Sequence, residues 1–200
     1  MEAIKIYRGR FKDQNLISSH FSESVLVKCP SCQNRAEVKT NKKTFQTVFH
    51  CPTCCHHYAT NNTVLDMSLK VYCNSCAHRI SIHMPNVTSK KQAILVRCPD
   101  CGDTQSYQPT YTQHLRLLRT AQATDPFLGL ELWYNAPYKD HTLWAYNYQH
   151  LEYLEQYIEA KLRERNNRRY TTMVEKLPQF IKSAKNREAL LKVIQKLKHK

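Results

Sequence analysis

Eight of the nine cysteines in this 200-residue chain fall into Cys-x-x-Cys pairs. The pairs are Cys29/Cys32, Cys51/Cys54, Cys73/Cys76 and Cys98/Cys101. Their first members are 22, 22 and 25 residues apart, which makes a fourfold internal repeat. Two residues between cysteines form a tight turn, here called a knuckle, with both sulfurs on one side and backbone N–H groups facing them. Four pairs at nearly constant spacing predict two structural Zn²⁺ ions, each held by four thiolates.

The ligands can be divided between two sites in two ways. About 20 residues suffice for a strand, a turn and a returning strand that bring one knuckle opposite the next. Sequential ligation, the first pair with the second and the third with the fourth, is favoured because local loops cost the least entropy to close. A cross-braced arrangement, the first with the third and the second with the fourth, uses the same ligands and stays open.

The sequence between the pairs predicts the strands that carry the knuckles. Residues 36–38 and 44–49 alternate around a polar turn at 41–43, as a half-exposed hairpin would. Residues 80–82 and 93–96 are apolar and flank a longer polar connection. We therefore predict two zinc ribbons, each with two knuckles on short antiparallel strands.

The stretch FHCPTCCHHYA, residues 49–59, holds a ninth cysteine, Cys55, directly after the second knuckle. The chain at this position tends to adopt a positive φ, which favours glycine. Gly102 fits that preference, whereas Gln33, Cys55 and Ala77 depart from it. Histidines also lie close to the knuckles, but each site already has four thiolates, so we expect exposed strand or loop residues. They are His50, His56, His57 and His78.

Beyond Gly102 the cysteines stop and the composition shifts towards Tyr, Leu and basic residues, which predicts a boundary near residue 110. The predicted fold class is α+β, with two tandem small antiparallel β zinc ribbons followed by a small domain of a β-hairpin plus helices. The predicted divisions are an N-terminal segment 1–23, ribbon 1 at 24–64, ribbon 2 at 65–110 and a basic C-terminal α+β domain at 111–200.

Apolar spacing and capping residues predict the elements of the C-terminal domain. A short helix is expected over 112–122, and a hairpin from two runs, 128–134 and 141–146. Asn147 is a good cap for a helix whose apolar face continues to Leu162, with basic residues in its last turn. A break is expected at 166–169, helix starts at Thr172 and Pro178, and a final helix capped by Asn186 with Leu190, Leu191, Ile194 and Leu197 on one face.

The charge is strongly basic and unevenly distributed. The formal net charge is +14, and two Zn(Cys)₄ sites would bring it to about +10. Residues 161–200 hold thirteen Lys or Arg against three Glu. Such a cationic end can neutralise phosphates, although charge runs often only solvate short helices. The candidate nucleic-acid contacts are Arg163, Arg165, Arg168, Arg169, Lys182, Lys185, Arg187, Lys192 and Lys196.

Aromatic residues cluster in the same part of the chain: Trp133, Trp144, Tyr146, Tyr153 and Tyr157. Exposed rings can stack on bases. Packing is the favoured interpretation, because a short domain needs large side chains in its core.

The cysteine pairs of residues 29–101 resemble two tandem ribbons of the rubredoxin-knuckle type. The segment LGLELWYNAPYKDHTLWAYNYQHLEYLEQYIEAKLRER, with SAKNREALL further on, resembles a poorly characterised bacterial family named for its TFIIB-type zinc ribbon. This resemblance covers roughly the last third of the chain and implies little about function. The family's Cys-Gly turn reads Tyr138-Lys139-Asp140 here, so we predict no third metal site.

Enzyme activity is the weakest hypothesis. The three glycines, Gly9, Gly102 and Gly129, exclude a glycine-rich phosphate loop, and four thiolates would leave a zinc ion no open position. With no apparent leader and no apolar run of about 20 residues, we expect a cytoplasmic protein with reduced thiols and no membrane partner. The expected function is non-enzymatic binding of DNA or RNA, or of a nucleic-acid machine. The alternative is an adaptor whose ribbons dock on a protein partner in transcription, replication or translation, such as a polymerase, helicase or ribosomal component.

Overall fold

A computed structural model describes residues 9–118, 123–164 and 171–200. It is a mixed α+β structure, built mostly of short antiparallel strands with few helices. The strands are β1 (Arg10–Lys12), β2 (Ser24–Lys28), β3 (Arg35–Thr40), β4 (Gln46–His50), β5 (His57–Asn61), β6 (Thr63–Tyr72), β7 (Arg79–Val87), β8 (Ile94–Arg97), β9 (Thr104–Tyr107), β10 (Thr110–Leu115), β11 (Tyr134–Tyr138), β12 (His141–Ala145) and β13 (Leu162–Glu164). The helices are α1 (Tyr148–Glu159), α2 (Gln179–Lys182) and α3 (Arg187–Lys198), with 3₁₀ turns at Ser18–His20, Val174–Lys176 and Ala184–Asn186.

Contacts divide the chain into two compact units. Unit 1 contains the described residues up to Asn41, together with Gln46–Thr60 and those from Leu118 to Lys200. Unit 2 contains Lys42–Phe45 and Asn61–Leu117. We call strands β2–β5 the first cysteine module and strands β6–β10 the second cysteine module. In the described part of the chain, no helix is both long enough and apolar enough to cross a membrane.

The first cysteine module is one continuous four-stranded sheet in the order β2-β3-β4-β5. The hairpin predicted from the alternation at residues 36–49 is present as β3 and β4, with Val38 opposite Phe49. Successive strand residues point to opposite faces, so Val25, Val27 and Val38 are fully buried together with Phe49.

Strand β2 also ties the first module to the rest of unit 1. The N–H of Leu26 donates to the carbonyl of Tyr146 (2.7 Å), and its carbonyl accepts from the N–H of Trp133 (2.9 Å). The N–H of Lys28 donates to the carbonyl of Glu131 (2.8 Å). The outer edge of β2 is therefore paired with residues more than 100 positions away.

The predicted hairpin and helix of the C-terminal part are present. Strands β11 and β12 pair around a turn at Lys139, which has φ +52°. The first strand starts at Tyr134 instead of 128, because residues 125–130 fold into a loop around Asp125. That buried carboxylate accepts from the N–H groups of Phe127, Leu128 and Leu130 at 2.9, 2.8 and 2.7 Å.

Helix α1 begins as predicted, since the Asn147 side chain accepts from the N–H of His150 (2.9 Å). Its buried face includes Leu151, Leu154 and Ile158. Helix α3 follows Asn186 and buries Leu190, Ile194 and Leu197, while Leu191 is only partly buried. Phe11 and Phe21 of the N-terminal segment lie in the same core.

Two helix predictions are wrong. The helix expected over 112–122 is strand β10 as far as Leu115, because its backbone pairs with β6. Helix α1 ends at Glu159, and Leu162–Glu164 forms β13, parallel to β1. Lys161 and Arg163 therefore do not lie in a last helical turn. The break expected at 166–169 lies outside the described residues.

The second cysteine module consists of two separate sheets, β10-β6-β7 and β8-β9. The predicted strands at 80–82 and 93–96 exist within β7 and β8, but each pairs across its own knuckle, with β6 and β9. Within residues 61–117, all of which are described, no ladder joins β7 to β8. The connections have nearly the same length, six residues between β7 and β8 and five between β3 and β4, so the separation does not come from loop length.

Candidate metal centres

The eight paired cysteines form two groups of four. In each group the Sγ atoms all lie within 4.8 Å of one another. In the first group, Cys29 and Cys54 are 3.6 Å apart, as are Cys32 and Cys51. In the second group, Cys73 lies 3.7 Å from Cys101 and Cys76 lies 3.6 Å from Cys98. Four sulfurs at about 2.3 Å from a tetrahedral ion would be about 3.8 Å apart, so both groups can hold a metal ion.

The grouping is sequential, the first pair with the second and the third with the fourth, as the loop-closure argument favours. In each pair the first cysteine is buried, whereas Cys54, Cys76 and Cys101 are exposed. Each site is therefore enclosed on the side of the first cysteine of each knuckle and more exposed on the side of the second.

Backbone hydrogen bonds shape all four knuckles. In each of them the N–H of the first cysteine donates to the carbonyl five residues later, as Cys29 does to Asn34 (2.8 Å) and Cys98 does to Asp103 (2.7 Å). Carbonyls of the first cysteines accept in return from Gln33 (2.9 Å), Ala77 (2.8 Å) and Gly102 (3.0 Å). These bonds keep the two sulfurs of a pair on one side of the chain.

The residue after each second cysteine has a positive φ in every knuckle. The values are +60° for Gln33, +57° for Cys55, +56° for Ala77 and +77° for Gly102. Three residues with a Cβ atom thus adopt the left-handed conformation that glycine adopts without strain. Cys55 occupies this position with an exposed side chain and belongs to neither sulfur group.

Electrostatics explain why each group suits a cation. The N–H of Cys54 lowers the pKa of Cys51 to about 6, and the N–H of Cys76 lowers the pKa of Cys73 to about 7. The N–H of His56 lowers the pKa of Cys54, but desolvation and the three neighbouring sulfurs outweigh it and raise that pKa to about 12. One thiol of each group thus loses its proton readily, whereas another thiol of the same group holds its proton strongly. A divalent ion supplies the charge that lets all four ionise, and its binding releases protons.

The histidines close to the knuckles stand outside both sulfur groups. His50, His57 and His78 are exposed, as expected. His56 is half-buried, and its ring lies against Phe49 and Tyr58 with centroids 5.3 and 5.6 Å away.

A hydrogen bond between knuckles occurs at equivalent positions in both modules. Ser31 Oγ lies 2.8 Å from His56 Nδ1 in the first module, and Ser75 Oγ donates to Asp103 in the second. The Ser75 hydroxyl, with Gln105, holds the pKa of Asp103 below its ordinary value. Sequence reasoning missed these contacts. The available signal was the Cys-x-Ser-Cys pattern that the first and third pairs share.

The basic residues proposed to bind nucleic acid occupy different environments. Arg163 donates to the carbonyls of Tyr157 (3.1 Å) and Lys182 (2.6 Å). Arg187 donates to the carbonyls of Ile158 (2.9 Å) and Ala160 (3.1 Å), where helix α1 ends. Both guanidinium groups therefore hold backbone together within unit 1.

Among the described candidate contacts, the exposed ones are all lysines. Lys185, Lys192 and Lys196 are exposed at or on helix α3, whereas Lys182 is half-buried and donates to the carbonyl of Glu175 (2.6 Å). Three further candidates lie outside the described residues: Arg165, Arg168 and Arg169.

The aromatic cluster packs inside unit 1. Tyr153 and Tyr157 are buried, and Trp133 and Tyr146 pack against the core while partly exposed. Trp144 lies 5.1 Å from Tyr146 between ring centroids. Packing thus accounts for this cluster.

No protein family, no curated protein and no solved structure matches this chain. The case for function therefore depends on the residues themselves.

Proposed function

We propose that the two cysteine modules are zinc ribbons and that each binds one structural Zn²⁺. Four thiolates at tetrahedral spacing favour zinc, and they leave it no open position for catalysis. Elemental analysis of freshly purified protein should give two zinc ions per chain. Cys51→Ser and Cys98→Ser should each remove one. Iron in place of zinc, or clearly less than two ions in total, contradicts the assignment.

We further propose that the protein binds DNA or RNA without catalysis through helix α3. The observation that supports this proposal is that helix α3 has one buried apolar face and one exposed basic face. Leu190, Ile194 and Leu197 are buried, and Lys192 and Lys196 are exposed, with Lys185 just before the helix. Because the buried face fixes the helix on the core, these ammonium groups are presented to the solvent together. They can neutralise phosphates at little entropic cost to the backbone.

Fluorescence anisotropy with labelled single- and double-stranded DNA and RNA tests this proposal. Binding should be measurable at about 50 mM salt and should weaken steeply as salt is added. Replacing Lys185, Lys192 and Lys196 with Ala should lower the slope of log K against log salt by up to about 2.7 for a duplex, since each phosphate contact contributes about 0.9.

A variant of equal charge provides the control. Lys70, Lys90 and Lys91 are also exposed lysines, but they lie in the second module. Their replacement with Ala should leave the slope nearly unchanged. An equal loss in both variants would show that net charge, and not helix α3, drives binding. No binding of any oligonucleotide at low salt would remove the proposal.

A further inference from the structure

The second cysteine module contains a cavity of about 660 Å³ between β7 and β8. Apolar side chains from both sheets line it, including Met67, Ile82, Met84, Ile94 and Val96. We call this cavity the module cleft. Its volume lies within the range of about 300–1,000 Å³ that is typical of ligand sites.

The first module shows why the module cleft exists. There the strands that follow one knuckle and precede the next, β3 and β4, pair directly and close the sheet. The equivalent strands of the second module, β7 and β8, pair only with β6 and β9. Among residues 61–117 each therefore has one edge that belongs to no ladder. An open edge of this kind can accept an additional strand.

The apolar surface around the module cleft is incompletely covered. Next to the cysteines, Cys73, Ile80 and Cys98 form a small buried cluster. Farther along the strands, Met84 is 49% exposed and Leu95 is 77% exposed. Exposed apolar side chains grouped at a cavity mark interaction surfaces more often than isolated ones do.

Charge indicates the kind of partner. Lys91 and Arg97 line the module cleft, Lys90 lies beside them, and its described lining holds no carboxylate. The only aromatic ring in that lining is Tyr111, whose hydroxyl accepts from the N–H of Lys91 (2.8 Å) and donates to its carbonyl (3.2 Å). A single ring offers one stacking position, whereas grooves for single-stranded nucleic acid present successive rings. Aliphatic walls with a basic rim suit an acidic peptide better.

We propose that the module cleft binds an extended segment of a protein partner in which apolar and acidic side chains alternate. The segment adds as a strand to the open edge of β7, so main-chain hydrogen bonds provide affinity. Every second side chain then points into the cleft, and the intervening carboxylates meet the lysines and arginine at its rim. This inference does not depend on nucleic-acid binding by helix α3.

The test uses the full, zinc-loaded chain and labelled synthetic octapeptides. One alternates Val with Glu, a second has Lys in place of Glu, and a third carries a central Pro, which cannot donate to a ladder. The Glu peptide should bind at least about tenfold more tightly than the other two. It should shift the backbone amide resonances of residues 82–84, 86–87 and 94–97; Pro85 has no amide proton.

Single variants locate the site. Met84→Glu and Lys91→Glu should each weaken binding of the Glu peptide about tenfold, since they place a carboxylate at the module cleft. Lys70→Glu is the matched control, because Lys70 alternates with the inward-facing Met67, Leu69 and Val71 and lies on the other face of the sheet. Circular dichroism and zinc content confirm that each variant is folded.

Three results would overturn the proposal. They are equal affinity for the Glu and Lys peptides, amide shifts away from β7 and β8, and equal weakening by Lys70→Glu. An octathymidine that shifts the resonances of the module cleft when the Glu peptide does not would instead identify a nucleic-acid groove. That outcome also counts against the proposal.

Discussion

The two cysteine modules have the same ligand spacing but different sources of stability. The first module buries Val25, Val27, Val38 and Phe49 completely and pairs its strand β2 with the remainder of unit 1. In the second module Met67 and Leu69 are buried along β6, and the buried cluster around the knuckles consists of Cys73, Ile80 and Cys98. Two of these three residues are proposed metal ligands.

The same cysteine motif can therefore be stabilised either by an apolar core around its strands or mainly by its metal ion. A knuckle is determined by six residues and closes in the same way in both modules. The strands around it depend on what covers their apolar faces. Where a large core provides that cover, the sheet is continuous, and where it does not, the sheet separates and leaves the module cleft.

Metal removal should give the largest difference between the modules. With a strong chelator, residues 63–115 should lose nearly all amide protection against hydrogen exchange, because too little apolar surface remains buried there. Strands β2 and β3 should keep much of theirs. Both tryptophans, Trp133 and Trp144, lie in unit 1, so their fluorescence should change little. Equal loss of protection in both modules would contradict the comparison.

Phe49→Ala should have the next largest effect, about 3–5 kcal/mol of unfolding free energy, since it empties a fully buried site. The ring also stacks on Tyr58 at 5.0 Å between centroids. Urea unfolding followed by tryptophan fluorescence would measure the loss. Leu162→Ala is the control, because that side chain also lies in unit 1, is 59% exposed and should change stability by less than about 0.5 kcal/mol. A loss below about 1 kcal/mol for Phe49→Ala would show that the first module does not depend on this core.

Local features of the fold could be predicted from the sequence. The ligand set follows from spacing, the β3–β4 hairpin from alternation, and the start of α1 from Asn147, because each depends on residues near one another in the chain. Positive φ after the second cysteine also follows from knuckle geometry, even where the residue is not glycine.

Features that depend on distant partners could not be predicted. Thr110–Leu115 form a strand because β6 offers an edge more than 40 residues away. Arg187 holds the end of α1, and the edge of β2 is closed by residues 131–133 and 146. Local periodicity contains no information about such pairs. For the same reason, two of the arginines proposed to contact phosphate, Arg163 and Arg187, are bonded to backbone carbonyls.

Acid should weaken unit 1 through His150. Burial lowers the pKa of this residue from 6.5 to about 4, because its ring is enclosed against Phe21 and Trp144. The unfolded chain takes up the proton first as pH falls, so the neutral folded form loses stability below pH 6.5. Between pH 7.5 and pH 5 the loss should be about 2 kcal/mol.

His150→Gln should remove that pH dependence while keeping an acceptor for the N–H of Tyr146, which lies 3.2 Å from Nδ1. Urea unfolding of both proteins at the two pH values, read by tryptophan fluorescence, isolates the effect. Protonation of the cysteines affects both proteins alike and cancels in the difference. Parallel pH profiles would show that His150 is not the group responsible.

The smallest effects per substitution concern the left-handed positions, and they again separate the modules. The first module has no glycine there, so replacing Gln33 and Cys55 with Gly should relieve about 2 kcal/mol, whereas Ala77→Gly in the second should relieve about 1 kcal/mol. Gly102→Ala should cost about 1 kcal/mol from φ alone, since its new Cβ would lie 3.6 Å from Arg97 Nη2, an ordinary contact. Because a relaxed knuckle binds its ion better, competition with a zinc chelator should show about fivefold tighter binding per kcal/mol gained. If the glycine variants leave zinc affinity unchanged, the knuckles carry no strain, and the modules differ only in the cover that their strands receive.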